Sequence, residues 1–428
     1  MNTDIKVNLL KQAQAARSLG NWSSVIQCLQ QLILGEEGEQ GEQGEQLLDL
    51  AIDVLVYGDF QERWEIAKVF PKLGHAIAPL LEILEDEDAE EEVRWYAARI
   101  LGEFNQPSVI NALVELLRTS ESEELTAMAA AALGSIGSSA VAALAELLAE
   151  SETRLLAVRS LSHIRRSETI IPLLSVVQDP QIAVRAAAIE ALSSFHDSQI
   201  PPVLLNALDD IAAAVRREAV TGLSFRSDLR EELDLVNRLG SRLYDFNLAV
   251  CTAAASALGR LGTDNAASAL DQVLKSPNTP VSLQLEIIRA LGRVGTQSGL
   301  EYLHSALNQL ESVTLWQEIV AVLGRVEQPL TTRASEILVE ILSDHPATQH
   351  ENVKQVIALS LGQLGEIQAL DPLIQLLATT DAGVRLHAIA ALKQLAPEVA
   401  YQQLQQLATN EAIAPDLKQG VAIALSEW

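Results

Sequence analysis

The sequence predicts an all-α fold, an alpha-alpha superhelix (alpha-solenoid) of stacked helical hairpins. Three observations predict it. A Leu-Gly or Leu-small pair recurs at steps of about 30 residues, a period at which each unit cannot bury its apolar face alone and must stack. Between the pairs, apolar residues fall three and four apart, as one buried helical face requires. The chain is 48% hydrophobic but only 4% aromatic, with Ala and Leu prominent, and both are strong helix formers. A large β fold would call for more aromatic and β-branched residues.

The pair occurs as Leu73-Gly74, Leu101-Gly102, Leu133-Gly134, Leu161-Ser162, Leu192-Ser193, Leu258-Gly259, Leu291-Gly292, Leu323-Gly324 and Leu361-Gly362. It closes a first helix, seen most plainly in EEVRWYAARILGEF (91–104), IAVRAAAIEALSSF (182–195), AAVRREAVTGLSF (213–225) and AGVRLHAIAALKQL (382–395). A second helix follows, of the form IxPLLxxL, as at 77–84, 170–177 and 370–377. Asp or Glu ahead of the Val-Arg pair suits a helix N-terminus. The glycine after Leu is expected to adopt the left-handed conformation that stops a helix. Pro79, Pro172 and Pro372 fall in first turns, where the missing N–H is tolerated.

Residues 1–34 predict an N-terminal helical hairpin cap turning at Gly20-Asn21. Residues 35–46, with repeated Gly-Glu-Gln, predict an acidic linker. A first repeat run covers 47–225, an irregular and more polar interruption 226–248, a second run 249–395, and a C-terminal helical cap 396–428.

The formal net charge of −27 opposes bulk affinity for nucleic acid or anionic lipid and favours basic partners. Met128–Leu148 is the most membrane-like stretch, but it reads as two short helices broken at Gly134–Gly137, so no membrane insertion is expected. The N-terminus has no basic segment followed by an apolar run, and the two cysteines form no CxxC, which fits a reducing, cytoplasmic setting. Cys28 and Cys251 read as small core hydrophobes, with a thiol role as the lesser alternative. The histidines form no HExxH. His345 and His350, around Pro346, read as solvated loop residues. The acidic run 85–92 lacks the spacing of a calcium loop and reads as a charged turn. No nucleophile elbow, phosphate-binding loop or dinucleotide fingerprint is present, so no catalytic, cofactor-binding or metal-binding residue is assigned.

Two sets of residues remain as candidates for binding another protein. Arg94, Arg185, Arg216 and Arg385 share one repeat position, with Arg154 near-equivalent. They read either as a ladder paired with acids of the preceding unit, such as Asp179 or Asp210, or as a stripe for an anionic surface. Arg165, Arg166 and Arg217 add local positive charge. Trp64, Trp95 and Trp316 stand in comparable first-helix positions, with Tyr96 and Tyr244 extending the aromatic set. Aromatic residues and arginines dominate binding hot spots, yet one large side chain per helix is also ordinary packing.

The combined phrase IxPLLxxLxDxxxxVRxxAxxALGxxG, over roughly residues 60–400, resembles HEAT repeats of the bacterial, ARM-repeat-like type. Within that group the chain is similar to cyanobacterial HEAT-repeat proteins: phycobilin lyases, phycobilisome-degradation proteins, and a HEAT-repeat partner of an iron–sulfur cluster carrier. The resemblance implies a non-enzymatic cytosolic scaffold or adaptor. Its lyase branch implies attachment of a bilin to a phycobiliprotein cysteine. The chain has no His-Cys pair, which counts against an isomerising lyase. Its iron–sulfur branch implies an assembly accessory, and two isolated cysteines do not complete a four-thiolate site, so a cluster would be shared with a partner.

Overall fold

A computed structural model describes residues 3–33 and 42–428, all helix, turn or loop with no strand among them. Most of the expected 35–46 linker lies outside the described residues. Its last part, from Glu42, is already helical, because the apolar residues from Leu47 onward continue the periodicity of helix Glu42–Tyr57. The chain forms two compact units, 1–203 and 204–428.

The first unit opens with hairpin Thr3–Ser18 and Trp22–Ile33, turned by Gly20 (φ 65°) and capped where the Asn21 side chain accepts from Ser24 N–H. First helices Phe60–Ala67, Glu91–Leu101, Glu123–Ile136, Arg154–Ile164 and Ile182–Leu192 alternate with second helices Ile77–Glu85, Pro107–Thr119, Val141–Leu147 and Ile170–Leu174. First helices pack on their successors and on the intervening second helices. Leu101, Leu133 and Leu161, the leucines of the recurring pair, are fully buried, each contributing about 2–3 kcal/mol of burial.

The second unit follows the same rule. First helices Ala213–Ser224, Leu248–Leu261, Val281–Val294, Val313–Leu323, Glu351–Leu364 and Ala382–Leu395 alternate with second helices Leu235–Ser241, Asp264–Leu274, Gln297–Gln309, Thr331–Asp344, Leu370–Gln375 and Pro397–Thr409. The polar stretch 226–248 therefore holds a shortened second helix in its regular place, and it lies within the second unit. Helix Pro415–Ser426 follows Pro397–Thr409 and packs on it, with Trp428 beneath the Lys393 ammonium and beside Tyr401.

The glycine of the Leu-Gly pair has a different task from the one its position suggests. Gly102 is right-handed (φ −59°), and a Cβ there would sit 2.9 Å from Cα of Ala132 on the next first helix. The residue is glycine because two helix backbones meet. The left-handed stop comes further on, as at Gly262 (φ 64°), which caps Leu248–Leu261.

The apolar stretch Glu123–Leu147 has the length and composition of a membrane span. It is divided at Gly137 (φ 81°, ψ −139°) into Glu123–Ile136 and Val141–Leu147, joined by a 3₁₀ turn and both packed on Arg154–Ile164.

Candidate functional site

The arginine positions form a structural ladder. Each lies seven residues before the buried leucine of its first helix and turns back to the loop that precedes that helix. Arg94 Nε donates to Leu84 O, Arg185 Nη1 to Asp179 O, Arg216 Nη1 to Asp210 O and Arg385 Nη1 to Thr379 O. These carbonyls end a second helix or lie in the turn after it, where intrahelical donors have run out. The guanidinium fork supplies the missing N–H groups.

The acids come from the opposite direction to the one expected. Arg154 donates through Nη1 to Asp179 Oδ2 at 2.6 Å, and Arg216 reaches Asp245 at 2.8 and 2.7 Å. In both pairs the carboxylate belongs to the following repeat. Asp179 and Asp245 also accept from Gln181 N–H and Asn247 N–H, so the same side chain shapes the turn and holds the arginine. The Arg216 guanidinium holds the Asp245 carboxyl below its ordinary range, against the raising effect of burial.

Other side chains occupy the ladder in the same role. Arg63, only 5% exposed and not singled out by the sequence reading, donates to Leu55 O and Val56 O and pairs with Glu90 and Glu92. Its signal was there: Phe70 follows it by seven residues, as Leu101 follows Arg94. Cys251 occupies the position and donates from Sγ to Asp245 O, Gln284 donates to Leu274 O, and Trp316 Nε1 donates to Leu307 O at 3.1 Å.

The three tryptophans are thereby separated. Trp316 is 8% exposed and is a packing residue of the ladder. Trp64 and Trp95 stand one residue further, after Arg63 and Arg94, and both are half-buried. His345 is also not a solvated loop residue. Its Nδ1 accepts from Ala347 N–H, so Nε2 carries the proton and donates to Leu307 O. Its ring meets Trp316 edge-on at 5.5 Å, and exposed His350 lies 6.1 Å from the same indole.

Around Trp95 the first unit carries an open cavity of about 650 Å³ lined by Phe60, Glu91, Glu92, Trp95, Tyr96 and Glu124. Three successive first helices supply these residues. Tyr96 is fully buried and its hydroxyl donates to Phe60 O, fixing one helix start against the next. Burial, with the Glu92 carboxylate second, raises the Tyr96 phenol, which stays protonated. The rings of Phe60, Trp64, Trp95 and Tyr96 form a contiguous aromatic cluster. The Arg99 guanidinium lies 3.9 Å over Trp64 and 6.0 Å from Trp95. Phe60 is 62% exposed. Ser122 Oγ donates to Glu91, while Glu124 is exposed and makes no ion pair among the described residues.

The remaining candidates lie elsewhere. Arg165 is exposed in a left-handed helix cap (φ 50°), Arg166 is exposed beside it, and Arg217 pairs with Glu218 on the surface. Tyr244 (66% exposed) and Phe246 sit in the loop before Leu248–Leu261, and Ile211 in the equivalent loop one repeat earlier. Arg216 holds these two loops together. Burial raises both thiols, Cys251 further by its Asp245 neighbour, so both favour the protonated form. Among the described residues no group of three His, Cys, Asp or Glu is arranged to hold a metal ion.

Comparison with known proteins agrees with this architecture. A family model described as HEAT repeats matches residues 77–154, 144–224 and 336–426, and one described as PBS lyase HEAT-like repeat matches 250–276. No curated protein matches. Among solved structures the chain is similar to Kap95p in its complex with RanGDP, at 14% identity and a TM-score of 0.51, covering 100% of this chain and 66% of that one. It is also similar to importin beta, at 14% identity and a TM-score of 0.52, covering 97% of this chain and 64% of the other. It thus spans about two thirds of the length of those chains, and at this identity the likeness is one of fold. The HEAT-repeat matches take in more than half of the 428 residues, and they fall on the helical hairpins whose packing is described above. The chain belongs to the HEAT-repeat family.

Proposed function

We propose that this protein is a non-enzymatic protein-binding scaffold that engages its partner through the aromatic cavity centred on Trp95. The observation that carries the reading is the exposed Phe60 and half-buried Trp95 facing an open cavity, while the ladder residues are consumed by packing. Large aromatic side chains around a concavity are typical binding anchors. The HEAT-repeat architecture supports the same reading, since stacked hairpins present extended surfaces to other proteins. Partners consistent with the sequence resemblance are an iron–sulfur cluster carrier or a phycobilisome protein. In the iron–sulfur case the chain acts as a docking accessory. Affinity isolation from the source cells, with the full chain and Trp95→Ala in parallel, tests the proposal. A partner retained by the parent and lost from a stably folded Trp95→Ala supports it; equal recovery by both removes Trp95 from the interface.

A second reading has one specific observation in its favour, the PBS lyase HEAT-like repeat at 250–276. It makes the chain a lyase joining a bilin to a cysteine of a phycobiliprotein. Co-expression with bilin and candidate apo-subunits decides it: a covalently coloured subunit above the unaided control is required.

A further inference from the structure

We propose that the cavity over Trp95 is an arginine pocket, taking the guanidinium of an arginine from a basic segment of the partner protein. This rests on the protein-binding reading and names the chemistry of its partner. The cavity, about 650 Å³, is large enough for one long side chain and the peptide around it. Its lining combines the aromatic residues Phe60, Trp95 and Tyr96 with the acidic residues Glu91, Glu92 and Glu124. An apolar side chain would cover the rings but desolvate the Glu124 carboxylate without compensation, since Glu92 already has Arg63 and Glu91 has Ser122. An acidic one would be repelled. A guanidinium satisfies both at once, because it stacks flat on an aromatic face and presents a planar fork of donors at its edge.

The neighbouring side chains already use both halves of this chemistry. Arg99 lies over Trp64, one repeat before the equivalent Trp95, at 3.9 Å. Arg63 divides its two terminal nitrogens between Glu92 and Glu90, the first of which also lines the cavity. Glu124 is exposed, makes no ion pair among the described residues and lines the cavity, where an incoming cation can reach it. The chain's net charge of −27 would draw a basic segment toward the surface before contact.

The test uses the full chain with its tryptophan indoles labelled with ¹⁵N, so that Trp95 is followed directly by its N–H resonance and assigned by its loss in Trp95→Ala. The probe is the peptide acetyl-Gly-Gly-Arg-Gly-Gly-amide, compared with twins carrying citrulline or leucine in place of arginine. Citrulline keeps the shape and loses the charge. A saturable shift of the Trp95 resonance at millimolar arginine peptide is expected, with the citrulline twin about tenfold weaker, equivalent to about 1.4 kcal/mol. Glu124→Gln should weaken arginine binding about threefold, a loss within the range of one solvent-exposed ion pair. Phe60→Ala, which removes an exposed ring, should weaken it as well. Equal binding of the citrulline or leucine twin overturns the assignment, as does the absence of any shift with arginine. If the arginine peptide fails while Trp95→Ala still loses a protein partner, the scaffold reading stands and the arginine assignment falls. If Trp95→Ala also keeps every partner, both fall.

Discussion

Asp245 accepts both arms of Arg216, from Nε at 2.8 Å and Nη2 at 2.7 Å, across the junction between two successive repeats. The third donor, Nη1, holds Asp210 O and Ile211 O in the loop behind. One side chain thus joins two loops and leaves the carboxylate 5% exposed. Removing one partner strands a nearly buried charge, so Arg216→Ala should lose about 3 kcal/mol of stability. Arg216→Lys should recover little of it, since a lysine restores charge without the fork. Urea unfolding of the full chain measures both.

The same pair sets an acid dependence. The Asp245 carboxyl lies below its ordinary value because Arg216 donates to it. As pH falls, the unfolded state takes up this proton first, near pH ~3.9 for a free Asp. The stabilisation is therefore complete above that value and is lost as pH falls through the lowered native one. Asp245→Asn should be less stable than the parent at neutral pH, and the gap should close toward acid. Urea midpoints across the acid range give the result.

Gly102→Ala isolates the close helix contact. Alanine would gain at most about 1 kcal/mol of helix propensity, the full amount applying to a helix interior and Gly102 standing at the C-cap. Its Cβ would meet both Cα and Cβ of Ala132 at 2.9 Å, and the Cα is backbone that cannot rotate away. The clash should prevail, with a net loss of about 1–3 kcal/mol in urea unfolding.

Leu307 O has two donors, Trp316 Nε1 and His345 Nε2, both at 3.1 Å. Either one alone keeps the carbonyl satisfied. Trp316→Phe should therefore cost about 1 kcal/mol, the loss of one neutral hydrogen bond. In combination with His345→Ala the cost should exceed the sum of the two single changes by about 1 kcal/mol, because only the double variant leaves the oxygen bare. A double-mutant cycle by urea unfolding reads this directly.

The fold was legible because the Leu-Gly pair and the apolar spacing are local signals of burial, and Leu101, Leu133 and Leu161 answer to them by being fully buried. The role of Gly102 was not legible, since a glycine required by a neighbouring backbone looks the same in sequence as one required by a turn. The sequence ladder rests on arginines alone, and Trp316 shares with Trp64 and Trp95 a comparable first-helix position that hides its one-residue offset from them. The seven-residue distance to the following leucine would have set it beside Arg94 instead. The direction of the ion pairs was also hidden: Asp179 precedes Arg185 in its own loop, and only packing shows that its carboxylate serves Arg154 while its carbonyl serves Arg185. The cavity draws Phe60, Trp95 and Glu124 from three helices, a juxtaposition that no motif within one repeat encodes.

The neutral ladder residues give part of the second unit a different mechanical character. Arg154 and Arg216 act as rivets, each fastened to the loop ahead by a carboxylate largely sheltered from solvent. Cys251, Gln284 and Trp316 carry no charge and donate to the loop behind, and only the Trp316 ring among them also meets the loop ahead, by packing on His345 and His350. Successive hairpins there are cross-braced on their flanks by Arg289 with Glu318 and by Arg333 with Glu301, pairs whose side chains remain substantially open to water. Sheltered pairs are little affected by salt, whereas open ones are screened within a Debye length of about 8 Å at physiological ionic strength. Added salt should therefore loosen the stretch from Cys251 to Arg333 more than the junction at Arg216, whose pair is screened much less.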